Sequence, residues 1–128
     1  MCKGGGGKQH YSSKGKRMSN YFESEDLKKF GDIGQHGQKL ADDFFKYYSD
    51  VTGVDGALTK REKSLIALAV AHAQKCPYCI DAYTTQCLET GSNPEQMMEA
   101  VHVAAVMQAG ITLVHSVQMQ NHLKKLVL

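Results

Sequence analysis

Between Leu65 and Ala73 the chain is almost continuously apolar and rich in alanine, and three residues later it reads Cys76-Pro77-Tyr78-Cys79. Small side chains at successive turns let neighbouring elements approach closely, so this stretch reads as a helix packed on several sides. Thr59 followed three residues on by Glu62 is a capping box that opens that helix. Pro77 is welcome in the first turn of a new helix and disruptive inside an old one, so it marks the junction to a second helix. A Cys-x-x-Cys pair at a helix N-terminus can cycle between dithiol and disulfide, because the helix end favours a thiolate and the spacing puts the partner sulfur within reach.

The rest of the chain is built from the same kind of element. Ser24-Glu25-Asp26-Leu27 reads as a cap with acids in the first turn of a short helix that stops near Gly31. A second helix is expected over about Gln38–Val51, with Leu40, Ala41, Phe44, Phe45, Tyr47 and Tyr48 on one face. The capped third helix and a fourth over about Pro77–Thr90, ended by Gly91, follow. Ser92-Asn93-Pro94-Glu95 starts a fifth that reaches about Gln108, and Gly110 separates it from a sixth over about Ile111–Lys125. No segment alternates with period two between turn signals. The expected class is all-α, with about six helices.

The first 17 residues are rich in Gly, Lys and Ser and have hardly any apolar side chain, which predicts a disordered basic tail ahead of a helical domain over 18–128. Met18 reads as the more natural beginning. Lys3, Lys8, Lys14, Lys16 and Arg17 all fall in that tail, so the net charge of +2 conceals a body with ten basic and thirteen acidic residues. A mildly acidic body does not suit nucleic acid. The start of the chain is basic with no apolar signal core, and no apolar run approaches membrane-spanning length. A cytoplasmic protein with no membrane partner is expected, in a compartment where a vicinal dithiol stays reduced. His102, His115 and His122 are too scattered to complete a zinc site with the cysteines, so no metal and no cofactor are expected.

Helical spacing names the neighbours of the thiols. His72 precedes Cys76 by four residues and would accept or return a proton near neutral pH if the helix runs on without swinging away. Cys79, Tyr83 and Cys87 follow one another at four-residue intervals on one helix face. Tyr83 either donates to the Cys79 thiolate or packs. Glu62 is a capping residue first and a relay only if it also faces the sulfurs. Cys87 reads as a small buried hydrophobe. The helix-end argument favours Cys76, the cap residue, as the lower-pKa thiol.

The stretch LTKREKSLIALAVAHAQKCPYCIDAYTT resembles the core motif of the carboxymuconolactone decarboxylase/AhpD superfamily of alkylhydroperoxidase-like proteins, and its wording is similar to the arsenosugar-biosynthesis-associated peroxidase-like branch. The resemblance runs from Met18 through the sixth helix. It implies an AhpD-like helical bundle, a homo-oligomer, and a dithiol peroxidase or disulfide-reductase activity. It also implies that Cys79 attacks a small-molecule peroxide to give a sulfenic acid and that Cys76 resolves it to a disulfide, which an external dithiol of lipoyl or thioredoxin type then reduces. Two positions depart from the motif: Tyr83 stands where the family has a histidine, and Ser64 where it has a glutamate, with Glu62 one step outside.

The expected function is therefore a dithiol oxidoreductase in which Cys79 attacks, as the resemblance implies, because burial and Tyr83 can override a helix-end effect on the order of 1 kcal/mol; Cys79, Cys76, His72, Tyr83 and Glu62 are the candidate catalytic residues. The alternatives are a module that grips trivalent arsenic through the two sulfurs, or a non-catalytic assembly protein of the same fold.

Overall fold

The computed structural model describes residues 22–127, and the expected basic tail lies outside the described residues. A 3₁₀ helix (Ser24–Gly34) is followed by four α-helices: α1 (Gln38–Thr52), α2 (Lys60–Ala73), α3 (Pro77–Glu89) and α4 (Pro94–Val127). Among the described residues there is no strand, and the fold is all-helical with five helices.

Local signals explain most of the boundaries. The Thr59 hydroxyl accepts from the Glu62 N–H at 3.1 Å while the Glu62 carboxylate accepts the Thr59 N–H at 3.1 Å, which completes the capping box of α2. Asn93 and Gln96 exchange the equivalent pair of bonds at 2.8 and 3.0 Å to open α4. Both α2 and α3 end in Schellman motifs. In α3 the left-handed position belongs to Gly91 (φ 94°), with Ser92 N–H returning to Cys87 O at 2.9 Å. In α2 it belongs to Lys75 (φ 54°), with Cys76 N–H returning to Ala71 O at 2.9 Å. A lysine there carries a cost of about 1 kcal/mol that glycine would avoid.

Two expectations are corrected. Ser24 does not cap the first helix: its hydroxyl donates instead to Asp81 Oδ2 on α3 at 2.7 Å, and the helix is a 3₁₀ helix that runs on to Gly34. The fifth and sixth helices are one, the 34-residue α4. Gly110 does not end it: the Thr112 hydroxyl donates back to Gln108 O at 3.0 Å instead of capping a new start, and one interior glycine costs only about 1 kcal/mol. As one helix, α4 is long and apolar enough by length and composition to cross a membrane, so the expectation that no apolar run reaches that length is also corrected.

The core is small and sits where α2 meets α3 and the first half of α4. Ser64, Leu68 and Ala71 share one face of α2 and are buried, and Cys87 of α3, the helix packed on α2, is fully buried. Burying Leu68 contributes roughly 1.5–3 kcal/mol. The aromatic face of α1 takes up the 3₁₀ helix: Phe30 meets Phe45 edge-on at 5.0 Å between ring centres and Phe44 at 6.1 Å.

Candidate functional site

The left-handed turn at Lys75 brings Cys76 to the N-cap of α3, with extended backbone angles (φ −95°, ψ 103°) and Pro77 in the first helical position. Cys76 Sγ accepts the backbone N–H of Cys79 at 3.4 Å, the role a serine or aspartate oxygen plays in an ordinary cap. The two sulfurs are 3.0 Å apart, and both residues are half-buried at the surface. Both thiols are free.

Their electrostatics are unequal. The side chain of Cys79 hydrogen-bonds Cys76 and holds its thiol below the ordinary cysteine value, helped by the Cys79 and Tyr78 backbone N–H groups. The same bond, together with burial and the neighbouring Cys76 charge, pushes Cys79 up to about 11. Of the pair, Cys76 is therefore the sulfur that ionises more readily and Cys79 the one that holds its proton more tightly. This agrees with the helix-end expectation and differs from the order of attack that the resemblance implies.

Tyr83, one turn below Cys79, meets the Tyr48 hydroxyl of α1 in a short hydrogen bond. Burial, then the hydrogen bond and the charge of Tyr48, raise the Tyr83 phenol, so it stays protonated. Tyr48 was expected only as part of an apolar face. Its role depends on α1 folding back on α3, a contact that no spacing within one helix reveals. The two tyrosines, Thr52, Gly53, Ala82 and Gln86 line a cavity of about 180 Å³. It adjoins the thiols through Tyr83 rather than enclosing them. A volume below the usual 300–1,000 Å³ of ligand pockets restricts it to a small group.

The other candidates lie differently. Because α2 ends at Ala73 and the chain reverses at Lys75, the continuous-helix geometry that would set His72 over Cys76 does not apply. His72 Nδ1 lies 2.8 Å from Leu68 O in its own helix. The Glu62 carboxylate is engaged by the Thr59 N–H and hydroxyl at 3.1 and 2.9 Å, which hold it below the usual carboxylate range. Ser64, at the motif's glutamate position, is buried with its hydroxyl donating to Lys60 O at 2.8 Å. Among the described residues no three His, Cys, Asp or Glu side chains gather as a metal cluster.

A further contact was invisible in the sequence. The 3₁₀ helix is latched onto the start of α3 on both sides of Cys79: Tyr78 donates to Asp26 Oδ2 at 3.2 Å, Ser24 to Asp81 at 2.7 Å, and Phe22 meets Tyr78 edge-on at 4.8 Å. Residues 52 and 57 positions apart carry these bonds.

Comparison with known proteins places this geometry. Residues 38–120, from the first residue of α1 into the last third of α4, match the model of the carboxymuconolactone decarboxylase family. The chain is 44% identical over 86 residues to "Uncharacterized protein 4 in cox locus" of Paracoccus denitrificans, covering 67% of this chain and 77% of that protein. It is also similar to the crystal structure of a protein from Methanobacterium thermoautotrophicum, with a TM-score of 0.62 and 29% identity over 68% of this chain and 97% of that one.

Proposed function

The chain belongs to the carboxymuconolactone decarboxylase family, and from that premise we propose that it is a dithiol oxidoreductase that reduces a small hydroperoxide through a Cys76–Cys79 disulfide. The observation that carries this reading is the pair of free sulfurs 3.0 Å apart at the α3 N-terminus, with Cys76 lowered and Cys79 raised from the ordinary cysteine value.

The Cys76 thiolate attacks the outer peroxide oxygen. An S–O bond forms, the O–O bond breaks, and sulfur is oxidised to a sulfenic acid while the alkoxide leaves. Cys79 gives that alkoxide its proton, releasing the alcohol. Its own thiolate then attacks Cys76 Sγ and expels hydroxide, which takes a proton from solvent. An external dithiol of lipoyl or thioredoxin type reduces the disulfide and restores two thiols. Tyr83, kept protonated by burial and by Tyr48, orients the peroxide from beside Cys79, and the adjoining cavity accepts its small organic group.

Sulfenic acid trapping on two variants tests the scheme. Cys79→Ser treated with peroxide should accumulate a sulfenic acid on Cys76, and Cys76→Ser should react far more slowly. A trapped sulfenic acid on neither variant refutes peroxide reduction. Trapping on Cys79 alone reverses the order of attack. Tight binding of arsenite that requires both sulfurs, without any oxidation by peroxide, would instead support the binding module.

A further inference from the structure

We propose that the 3₁₀ helix is a redox-linked latch: it closes on the first turn of α3 while Cys76 and Cys79 are thiols, and oxidation of the pair releases its N-terminal half. The inference rests on the reading of the pair as a dithiol that becomes a disulfide.

The latch closes on the redox loop itself. Tyr78, which lies between the two cysteines, donates to Asp26 Oδ2 at 3.2 Å and meets the Phe22 ring edge-on at 4.8 Å. Asp81, two residues beyond Cys79, accepts the Ser24 hydroxyl at 2.7 Å. Lys29 holds the other Asp26 oxygen at 3.1 Å, which leaves Oδ2 for Tyr78. The far end of the 3₁₀ helix is fastened elsewhere: Phe30 packs on the rings of α1, and Gly34 is buried where a Cβ would come within 3.0–3.1 Å of Gln38 and Ala41. The two ends are tied to different helices, and the N-terminal one is tied to the thiols.

The element that carries these bonds is weak by itself. Hydrogen-bond geometry is poorer in a 3₁₀ helix than in an α-helix, and long runs are uncommon, yet this one has 11 residues. Glu23, at its N-cap, makes no side-chain capping bond, and the neighbouring Ser24 hydroxyl is committed to Asp81. Its order therefore depends on its docking contacts, the mark of a segment with low local stability.

Oxidation acts on the turn that those contacts grip. The first turn of α3 is built around Cys76 Sγ, which accepts the Cys79 N–H at 3.4 Å, and the Tyr78 N–H also lowers the pKa of that thiol. When the pair becomes a disulfide, two electrons and two protons leave and an ionisable sulfur becomes a neutral, weaker acceptor. The sulfurs, 3.0 Å apart as thiols, must also close on each other, so the backbone around Tyr78 has to adjust. The Tyr78–Asp26 bond is already longer than the roughly 2.5–3.0 Å of ordinary O–H···O bonds and tolerates little further movement. Burial first, then Asp26, then the Cys76 charge raise the Tyr78 phenol, so the hydroxyl that closes the latch also registers the state of the sulfur.

Linkage makes the effect reciprocal: whatever oxidation takes from the latch, the closed latch adds to the stability of the dithiol over the disulfide. Two hydrogen bonds of ordinary net strength account for a factor of about ten. The closed latch favours the reduced pair, and its release opens the oxidised loop to the external dithiol.

Hydrogen exchange followed by mass spectrometry, on the full chain carrying Cys2→Ser, tests this in both redox states. Diamide, which accepts two electrons and two protons from the pair, sets the oxidised state without relying on peroxide. Amides over residues 24–29 should exchange about tenfold faster in the disulfide form, and Leu68 at the same rate in both. In the charge-neutral variant Ser24→Ala with Tyr78→Phe, exchange over the same residues should be fast in both forms. Its equilibrium with glutathione should move about tenfold toward the disulfide, roughly 30 mV for two electrons. Exchange that does not accelerate on oxidation overturns the latch, whether or not the variant folds, and so does a folded variant of unchanged equilibrium. A pair joined by diamide but not by peroxide refutes the peroxide reading, while faster exchange in that disulfide still supports the latch. A pair that diamide does not join overturns both.

Discussion

The Cys79 backbone N–H donates to Cys76 Sγ at 3.4 Å, and the Cys79 sulfur lies 3.0 Å from the same atom. One residue therefore caps its helix with a sulfur, and the Cys79 side chain first and the capping N–H second lower the pKa of that sulfur. The inequality of the two thiols follows from their mutual contact and the helix end, and no histidine is among its causes.

Removing the donor should remove the asymmetry. In Cys79→Ala the Cys76 thiol loses its largest stabilising contact and its pKa rises, so alkylation by iodoacetamide at pH 7 should slow several-fold. An unchanged rate would mean that the helix end alone sets its reactivity.

The same pair makes stability fall in alkali. Cys79 keeps its proton in the folded state up to about 11, while the unfolded chain loses it near the ordinary value of 9.0. A raised folded pKa gives stability that is fully present below the unfolded value and is lost as pH rises through the folded one. The melting temperature should drop between pH 9 and pH 11 more steeply in wild type than in Cys79→Ala, as followed by circular dichroism.

Tyr48 acts through Tyr83, so losing either hydroxyl should have one effect. Tyr48→Phe and Tyr83→Phe should each slow peroxide oxidation of the thiols several-fold, and the double variant should be no slower than the single ones. His72→Ala, which removes a ring bonded to its own helix, should change the rate less than either. Stopped-flow measurement across the set checks the ranking, and additive tyrosine effects would separate the two residues.

Freeing the 3₁₀ helix should loosen the thiol site and leave the core intact. Ser24→Ala with Asp26→Ala removes both bonds to α3, so amide exchange should accelerate in residues 24–34 and at the start of α3. Exchange at Leu68 should not change, because that residue is buried between α2 and its neighbours.

Features carried by adjacent residues were legible in the sequence: the Thr59 and Glu62 box, the break at Pro77, the Gly91 stop and the all-helical class. The unity of α4 was not, since a glycine ends a helix only when the next residues offer a left-handed turn and a new cap. Gly110 is followed by Ile-Thr-Leu in a helix that continues. The reversal between His72 and Cys76 was hidden because Lys75 adopts the left-handed angle that glycine normally marks. Tyr48, Ser24 and Asp26 reached the site through contacts 35 to 57 residues apart, which depend on how whole helices dock. The two sulfurs themselves stood out from spacing and a proline alone.

The central claim is that Cys76 and Cys79 exchange electrons with a peroxide as one unit. Intact-mass and peptide mass spectrometry of the reduced chain, after stoichiometric hydrogen peroxide or an organic hydroperoxide, measures this directly. The account predicts the loss of two hydrogens, a single peptide joined at Cys76 and Cys79, and return to the starting mass with dihydrolipoamide. A chain that stays reduced, or that gains oxygen on its sulfurs without joining them, would contradict it.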